Sequence, residues 1–155
     1  MLEVEILDLR GNGIRHMKDE LLSKPPKLKQ VYLSGNQWDC SDGGLDWLAM
    51  KDSNSSARTR IIDYYNLTCH QQLYRGKPLH KVMDIIKTVY LTCPVPCLCA
   101  MTHVVSDAAG NIIPLITVNC AGHQLDTPPA SLPPNTTTLR LEGNKINSIR
   151  SIVQN

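Results

Sequence analysis

The chain has 155 residues, with 16 basic against 14 acidic side chains and a net charge of +2 at neutral pH. The two signs are interspersed, which excludes the basic stripe of a nucleic-acid binder and argues against an acidic tail. No run of about 20 apolar residues is present, and no charged leader followed by an apolar core opens the chain, so membrane attachment is expected only through a parent segment outside it.

The first element is a short strand in Val4-Glu-Ile-Leu7-Asp-Leu9-Arg-Gly-Asn12-Gly-Ile14. Leu7 and Leu9 alternate with Asp8 and Arg10, the period-two pattern of a strand with one buried face. Asn12 ends it with an amide able to bond backbone groups of neighbouring turns, and Ile14 turns inward. The phrase recurs at Leu28-Lys-Gln-Val31-Tyr-Leu33-Ser-Gly-Asn36-Gln-Trp38 and at Thr136-Thr-Thr-Leu139-Arg-Leu141-Glu-Gly-Asn144-Lys-Ile146. Glycine precedes the asparagine each time, as Gly11, Gly35 and Gly143. Unrelated amphipathic strands would not share that register. The spacing Leu-x-x-Leu-x-Leu-x-x-Asn-x-Leu is that of a leucine-rich repeat. It predicts an α/β leucine-rich-repeat solenoid of short parallel strands. A single repeat cannot bury its own apolar face. The chain opens inside a repeat at Met1-Leu2-Glu3 and closes at Ser151-Ile152-Val153-Gln154-Asn155, with Ile146, Ile149 and Ile152 still lacking a neighbour. That pattern suggests a piece of a longer solenoid.

A long segment holding all six cysteines separates the second and third copies. It begins Asn36-Gln-Trp38-Asp-Cys40-Ser-Asp-Gly-Gly-Leu45-Asp-Trp47-Leu48, with Trp38 where the repeat's inward aliphatic belongs. Ser41 or Asp42 is a candidate cap for a short helix carrying Leu45, Trp47 and Leu48. The polar run from Asp52 to Arg60 reads as a surface loop, and Asn66-Leu-Thr-Cys69-His-Gln-Gln-Leu73-Tyr-Arg-Gly76 follows it. This stretch resembles the cysteine-rich C-terminal cap of extracellular leucine-rich-repeat proteins, which opens roughly Asn-Pro-Trp-x-Cys-x-Cys-x-Leu-x-Trp-Leu. Gln37 stands in place of the proline, two residues are inserted, and the second and fourth cysteines of that cap have no counterpart. The resemblance therefore implies one retained bond, Cys40–Cys69. A helix is predicted from Pro78 to Leu91, with Leu79, Val82, Met83, Ile86 and Tyr90 on one face, packed on the cap's own core.

Cys93-Pro-Val-Pro-Cys97-Leu-Cys99, then Val118-Asn-Cys120, then Leu125-Asp-Thr-Pro128-Pro-Ala-Ser-Leu132-Pro-Pro134 lead into the third copy. These motifs resemble the N-terminal cap of the same proteins: Cys-x-x-x-Cys-x-Cys, a gap, Val-x-Cys, and a Leu-x-x-x-Pro-x-x-Leu-Pro lead-in. The pairing that this resemblance implies is Cys93–Cys99 and Cys97–Cys120. The gap from Cys99 to Cys120 is longer than usual and contains the turn-like Ser106-Asp-Ala-Ala-Gly110-Asn111, so a longer hairpin loop is expected to absorb it. The domain reading is then residues 1–38, the end of a first repeat block; 39–92, a C-terminal cap; 93–134, an N-terminal cap; and 135–155, the start of a second block. Two partial solenoids are thus expected to meet through disulfide-bonded caps.

Three sequons, at Asn54, Asn66 and Asn135, stand beside the even cysteine count and favour an extracellular, disulfide-bonded glycoprotein, secreted or on the cell surface. Zinc is the competing use of Cys93, Cys97, Cys99, His103, Cys120 and His123, but Cys-x-x-Cys knuckles are absent and the sequons argue for an oxidising compartment. A cysteine nucleophile paired with His103 or His123 is weaker still, and Gly11-Asn-Gly13 lacks the remainder of a phosphate-binding loop. No catalytic constellation is found, and neither an enzyme nor a cofactor is expected.

The order of repeats, C-terminal cap, N-terminal cap and repeats resembles that of arthropod Toll-type receptors and Slit-type guidance proteins, and the insect halfway protein offers a further resemblance. It implies recognition of a protein ligand or co-receptor, in a receptor or in a secreted signalling or adhesion protein. In such solenoids the outward residues of the strands form the recognition surface. Here these are read as Glu5, Asp8 and Arg10, then Lys29, Tyr32 and Ser34, and then Thr138, Arg140 and Glu142, with Tyr32 and Arg140 the side chains best suited to anchor a partner. A solvated strand face at a purely structural seam is the alternative.

Overall fold

The computed structural model describes residues 2–41 and 44–149. The candidate cap Asp42 and the terminal Ser151-to-Asn155 segment with Ile152 lie outside them. The chain divides into two compact units, Met1–Ile86 and Lys87–Asn155.

In the first unit, strands β1 (Ile6–Asp8), β2 (Gln30–Tyr32) and β3 (Arg60–Ile61) form a parallel sheet in that order. Leu7 stands beside Val31, and Val31 beside Ile61. Val31, Leu33, Trp38, Leu48, Ile61, Leu67 and Leu79 are fully buried behind the sheet. Each such side chain contributes about 1.5–3 kcal/mol by leaving water. The Trp38 indole N–H donates to the Leu33 carbonyl at 3.1 Å, so the large ring enters the core without an orphaned polar atom.

Three expectations change in this unit and along the helix that ends it in the chain. The helix near Trp47 is a 3₁₀ turn over Asp46–Lys51 that begins at Leu45 without a side-chain cap. Ser41 Oγ and its backbone N–H instead donate to Asp39 Oδ1, at 2.7 and 3.0 Å, closing a local turn of their own. The polar loop ends two residues early. Thr59 is buried with its hydroxyl on the Leu28 carbonyl at 2.7 Å, and Arg60 opens β3, since the open edge of β2 needs backbone partners that this segment supplies. After the short helix α1 (Glu20–Ser23), which lies between β1 and β2 in the chain, helix α2 (Leu79–Thr92) forms where expected, and Leu79, Val82 and Met83 are buried. Tyr90 is 81% exposed, however, because the buried stripe continues from Leu79, Val82 and Met83 to Val89, and the next residue along the helix is rotated about 100° away from it.

In the second unit, β4 (Leu98–Ser106) and β5 (Ile112–Asn119) pair antiparallel, and β6 (Thr136–Arg140) joins β5 in parallel. Pro114, Ile116, Val118 and Cys120 are buried behind β5. Pro114 lacks an N–H, and it lies beyond the stretch of β5 that β6 pairs with, where the sheet needs none from it on that side. The long gap between Cys99 and Cys120 is taken up by strand, not by a long loop. A tight turn closes at Asp107–Asn111, and the Val-, Ile- and Thr-rich flanks extend the ladder. The described residues thus hold two small three-stranded sheets rather than one run of stacked repeats.

The disulfides are Cys40–Cys69, Cys93–Cys99 and Cys97–Cys120, the pairs implied by the resemblance, and no described cysteine is free. No described helix is long and apolar enough to cross a membrane.

Candidate functional site

Each outward strand face rests on the Gly-Asn turn that ends its strand. The Asn36 amide donates to the carbonyls of Leu33 at 2.8 Å and Leu9 at 3.0 Å, while its oxygen accepts the backbone N–H groups of Asn12 at 2.9 Å and Ile14 at 3.0 Å. One buried side chain thereby fills four backbone valences of two adjacent turns. Asn144 does the same in the second unit. It donates to Leu141 and Cys120, each at 2.9 Å, and accepts from His123 and Leu125, each at 3.0 Å. The preceding glycine has a physical reason. Gly35 sits at φ +71°, and a Cβ there would lie 3.3 Å from the Gly11 nitrogen.

Two supporting residues lie outside the three repeat phrases. Asp63 turns the chain away after β3, and its carboxylate accepts the N–H groups of Leu33 at 2.9 Å and Ser34 at 2.8 Å, which a further repeat strand would otherwise take. An isolated aspartate carries no periodic signal, so nothing in the sequence marks it. Gly122 sits beside Gly143 at φ +70° and donates to the Glu142 carbonyl at 3.0 Å. It was legible: Val118, Cys120, Gly122 and His123 stand 21 positions before Leu139, Leu141, Gly143 and Asn144.

On the first unit's outer face, Asp8 stands beside Tyr32, and Ile6, Gln30 and Arg60 form the next row. The Arg10 guanidinium donates to both Asp8 oxygens, at 2.9 and 2.6 Å, and lies 4.9 Å from the Tyr32 ring centroid. The Arg10 hydrogen bond holds the Asp8 carboxyl below the ordinary carboxylate range, and the Asp8 bond raises Arg10. Asp8, Arg10 and Tyr32 therefore form one composite feature. Glu5 and Lys29 do not belong to the strand rows. They form an ion pair with each other at 3.5 Å ahead of the strands, while Ile6 and Gln30 take the outward positions, because side chains alternate strictly across a strand. In the second unit Arg140 pairs with Glu142 on the exposed face. The Glu142 carboxyl is held low by its own backbone N–H and by Arg140. Thr138 lies beside Thr117, and Arg140 beside Asn119.

Asn54, Asn66 and Asn135 are all exposed. Asn135 adopts φ +66°, and its carbonyl accepts the Ile116 N–H at 3.1 Å, so its backbone serves the β5–β6 junction while its side chain faces solvent. Among the described residues no three His, Cys, Asp or Glu side chains form a cation site, and the cysteines of the zinc alternative are consumed in disulfides.

No protein-family model matches the chain. It is 31% identical over 157 residues to Protein singed wings 2 of Drosophila melanogaster, an alignment covering 98% of this chain and 30% of that protein. It is also 35% identical over 85 residues to the transforming growth factor beta activator LRRC33 of Danio rerio, covering 53% of this chain and 11% of that protein. The chain thus spans less than a third of either relative. Both are leucine-rich-repeat proteins.

Proposed function

We propose that this chain is a non-catalytic protein-recognition segment of an extracellular leucine-rich-repeat protein, a cell-surface receptor or a secreted signalling or adhesion protein. In this reading residues 1–38 and 135–155 are the end and the start of two repeat blocks, and the cysteine-rich stretches 39–92 and 93–134 cap them. The carrying observation is the pair of asparagine cages at Asn36 and Asn144, a geometry that lets a short strand end in a turn stacked on its neighbour. The three disulfides and exposed sequons support an oxidising, extracytoplasmic setting. That the zebrafish relative is an activator of transforming growth factor beta supports a protein as the partner class. Asp8, Arg10 and Tyr32 in the first unit and Arg140 with Glu142 in the second are the side chains assigned to contact it, with aromatic and arginine groups as anchors.

The test is binding of the immobilised chain to a panel of secreted proteins and ectodomains. A ligand held by the native chain and lost on Tyr32→Ala and Arg140→Ala, with all three disulfides intact, is the expected result. A ligand held equally by both variants removes these faces from the reading. A second reading, a structural seam with the ligand bound elsewhere in the parent, is favoured by one observation: Asp8, Lys29 and Glu142 each already have a charged partner within this chain.

A further inference from the structure

Strand β4 is the longest strand among the described residues and stands at the end of its sheet, with no described strand on its other side. Over Leu98–Val105 such an edge presents backbone donors and acceptors to a further strand, and proteins blunt it with charged side chains, prolines, short length or bulges. Here most of those devices are absent. From Thr88 to Ser106 the sequence contains no Asp, Glu, Lys or Arg, and β4 itself contains no proline. One bulge, between Met101 and His103, leaves a regular pairing register on either side of Thr102.

The side chains of the edge point the same way. Pairing with β5 puts Leu98 beside Asn119, Ala100 beside Thr117, His103 beside Leu115 and Val105 beside Ile113 on the outward face. Leu98 is 73% exposed and Val105 44%. The partners of a free edge are other extended backbones, and charge selects among them. A strand without formal charge meets a copy of itself in antiparallel pairing with no like-charge opposition in any register. Two copies joined in this way close on a two-fold axis and consume both β4 edges. Sugar would not block the approach. The one sequon of this unit, Asn135, precedes β6, and β5 lies between β6 and β4.

We infer that β4 pairs edge to edge, antiparallel, with β4 of a second copy of this chain, making the hairpin a homodimerisation element distinct from the faces assigned to ligand.

The experiment is sedimentation equilibrium of the full chain from low micromolar to about 100 μM, a range in which a specific dimer of ordinary affinity populates. It is paired with amide hydrogen exchange over the same range. A dimer is expected, with exchange at His103, Val104 and Val105 slowing as concentration rises. Val105→Lys would bring an ammonium group from each copy into the paired strands and is expected to abolish the dimer. Tyr90→Lys, which charges the exposed end of α2, is expected to leave it intact. A monomer throughout the range overturns the proposal and leaves the edge to a different protein. A dimer whose β4 amides exchange independently of concentration also overturns it, and that readout stands on the native chain even if Val105→Lys fails to fold.

Discussion

The first and second units reach the same Gly-Asn turn from different neighbours. In the first unit, Asn36 reaches across to Leu9 in another copy of its own phrase, on a strand that runs parallel to its own. In the second, Asn144 reaches across to Cys120, at the end of a hairpin strand pinned by the Cys97–Cys120 bond. The bonds formed are nonetheless equivalent: two carbonyls and two N–H groups around one amide. The difference teaches that the cage needs a correctly placed backbone beside it and not a second repeat. A cap strand provides one when a glycine, here Gly122, lets the neighbouring turn come close.

Stabilisation differs accordingly, and substitutions can break or sharpen the contrast. The largest effect is expected from Trp38→Ala, which empties a fully buried indole site in the first unit and should cost about 3–5 kcal/mol in urea unfolding. Amide signals of the second unit should move little; a collapse of both together would show that the two are energetically one. The joint replacement Cys97→Ser with Cys120→Ser should cost about 2–4 kcal/mol, with hydrogen exchange rising first across β5 and β6. If β1 and β2 loosen as much, the contrast between the units fails. Asn36→Ala should follow at about 2 kcal/mol, because it leaves buried backbone groups unpaired. Asn144→Ala, in a half-buried cage, should cost about 1 kcal/mol. Equal losses would mean that burial does not set the strength of the cage.

The smallest effect is one of pH. Asp39 is held below the ordinary carboxylate range by the Ser41 hydroxyl and N–H, with a lesser contribution from the charges of His16 and Arg15. A depressed carboxyl stabilises the fold above its unfolded value and loses that contribution as pH falls through the folded one. The stability gap between native chain and Asp39→Asn should therefore be present at neutral pH and narrow as acid is added. A gap that is constant down to pH well below the carboxylate range would remove Asp39 as its source.

The periodic part of this molecule was legible. Leu7, Val31 and Leu33 face inward and Asp8 and Tyr32 outward, because a two-residue period leaves no other arrangement once one face is buried. Spacing alone was less reliable at the strand entries, where Glu5 and Lys29 were read as outward strand positions that belong to Ile6 and Gln30. The cap was harder to read. Thr59, Arg60 and Asp63 look like ordinary polar loop residues, and their role comes from the open edge of β2 beside them.

Sequence by itself determined the three strand phrases, the glycines that their turns require and the helix after Pro78, since each depends on sterics and periodicity within a few residues. Only tertiary structure decided that the gap between Cys99 and Cys120 becomes a long two-stranded hairpin, that Asp63 ends the first sheet and that Val89 rather than Tyr90 continues the buried stripe of α2. Those outcomes turn on which backbone groups lack a partner and where a core stops, and both are properties of segments far apart in the chain.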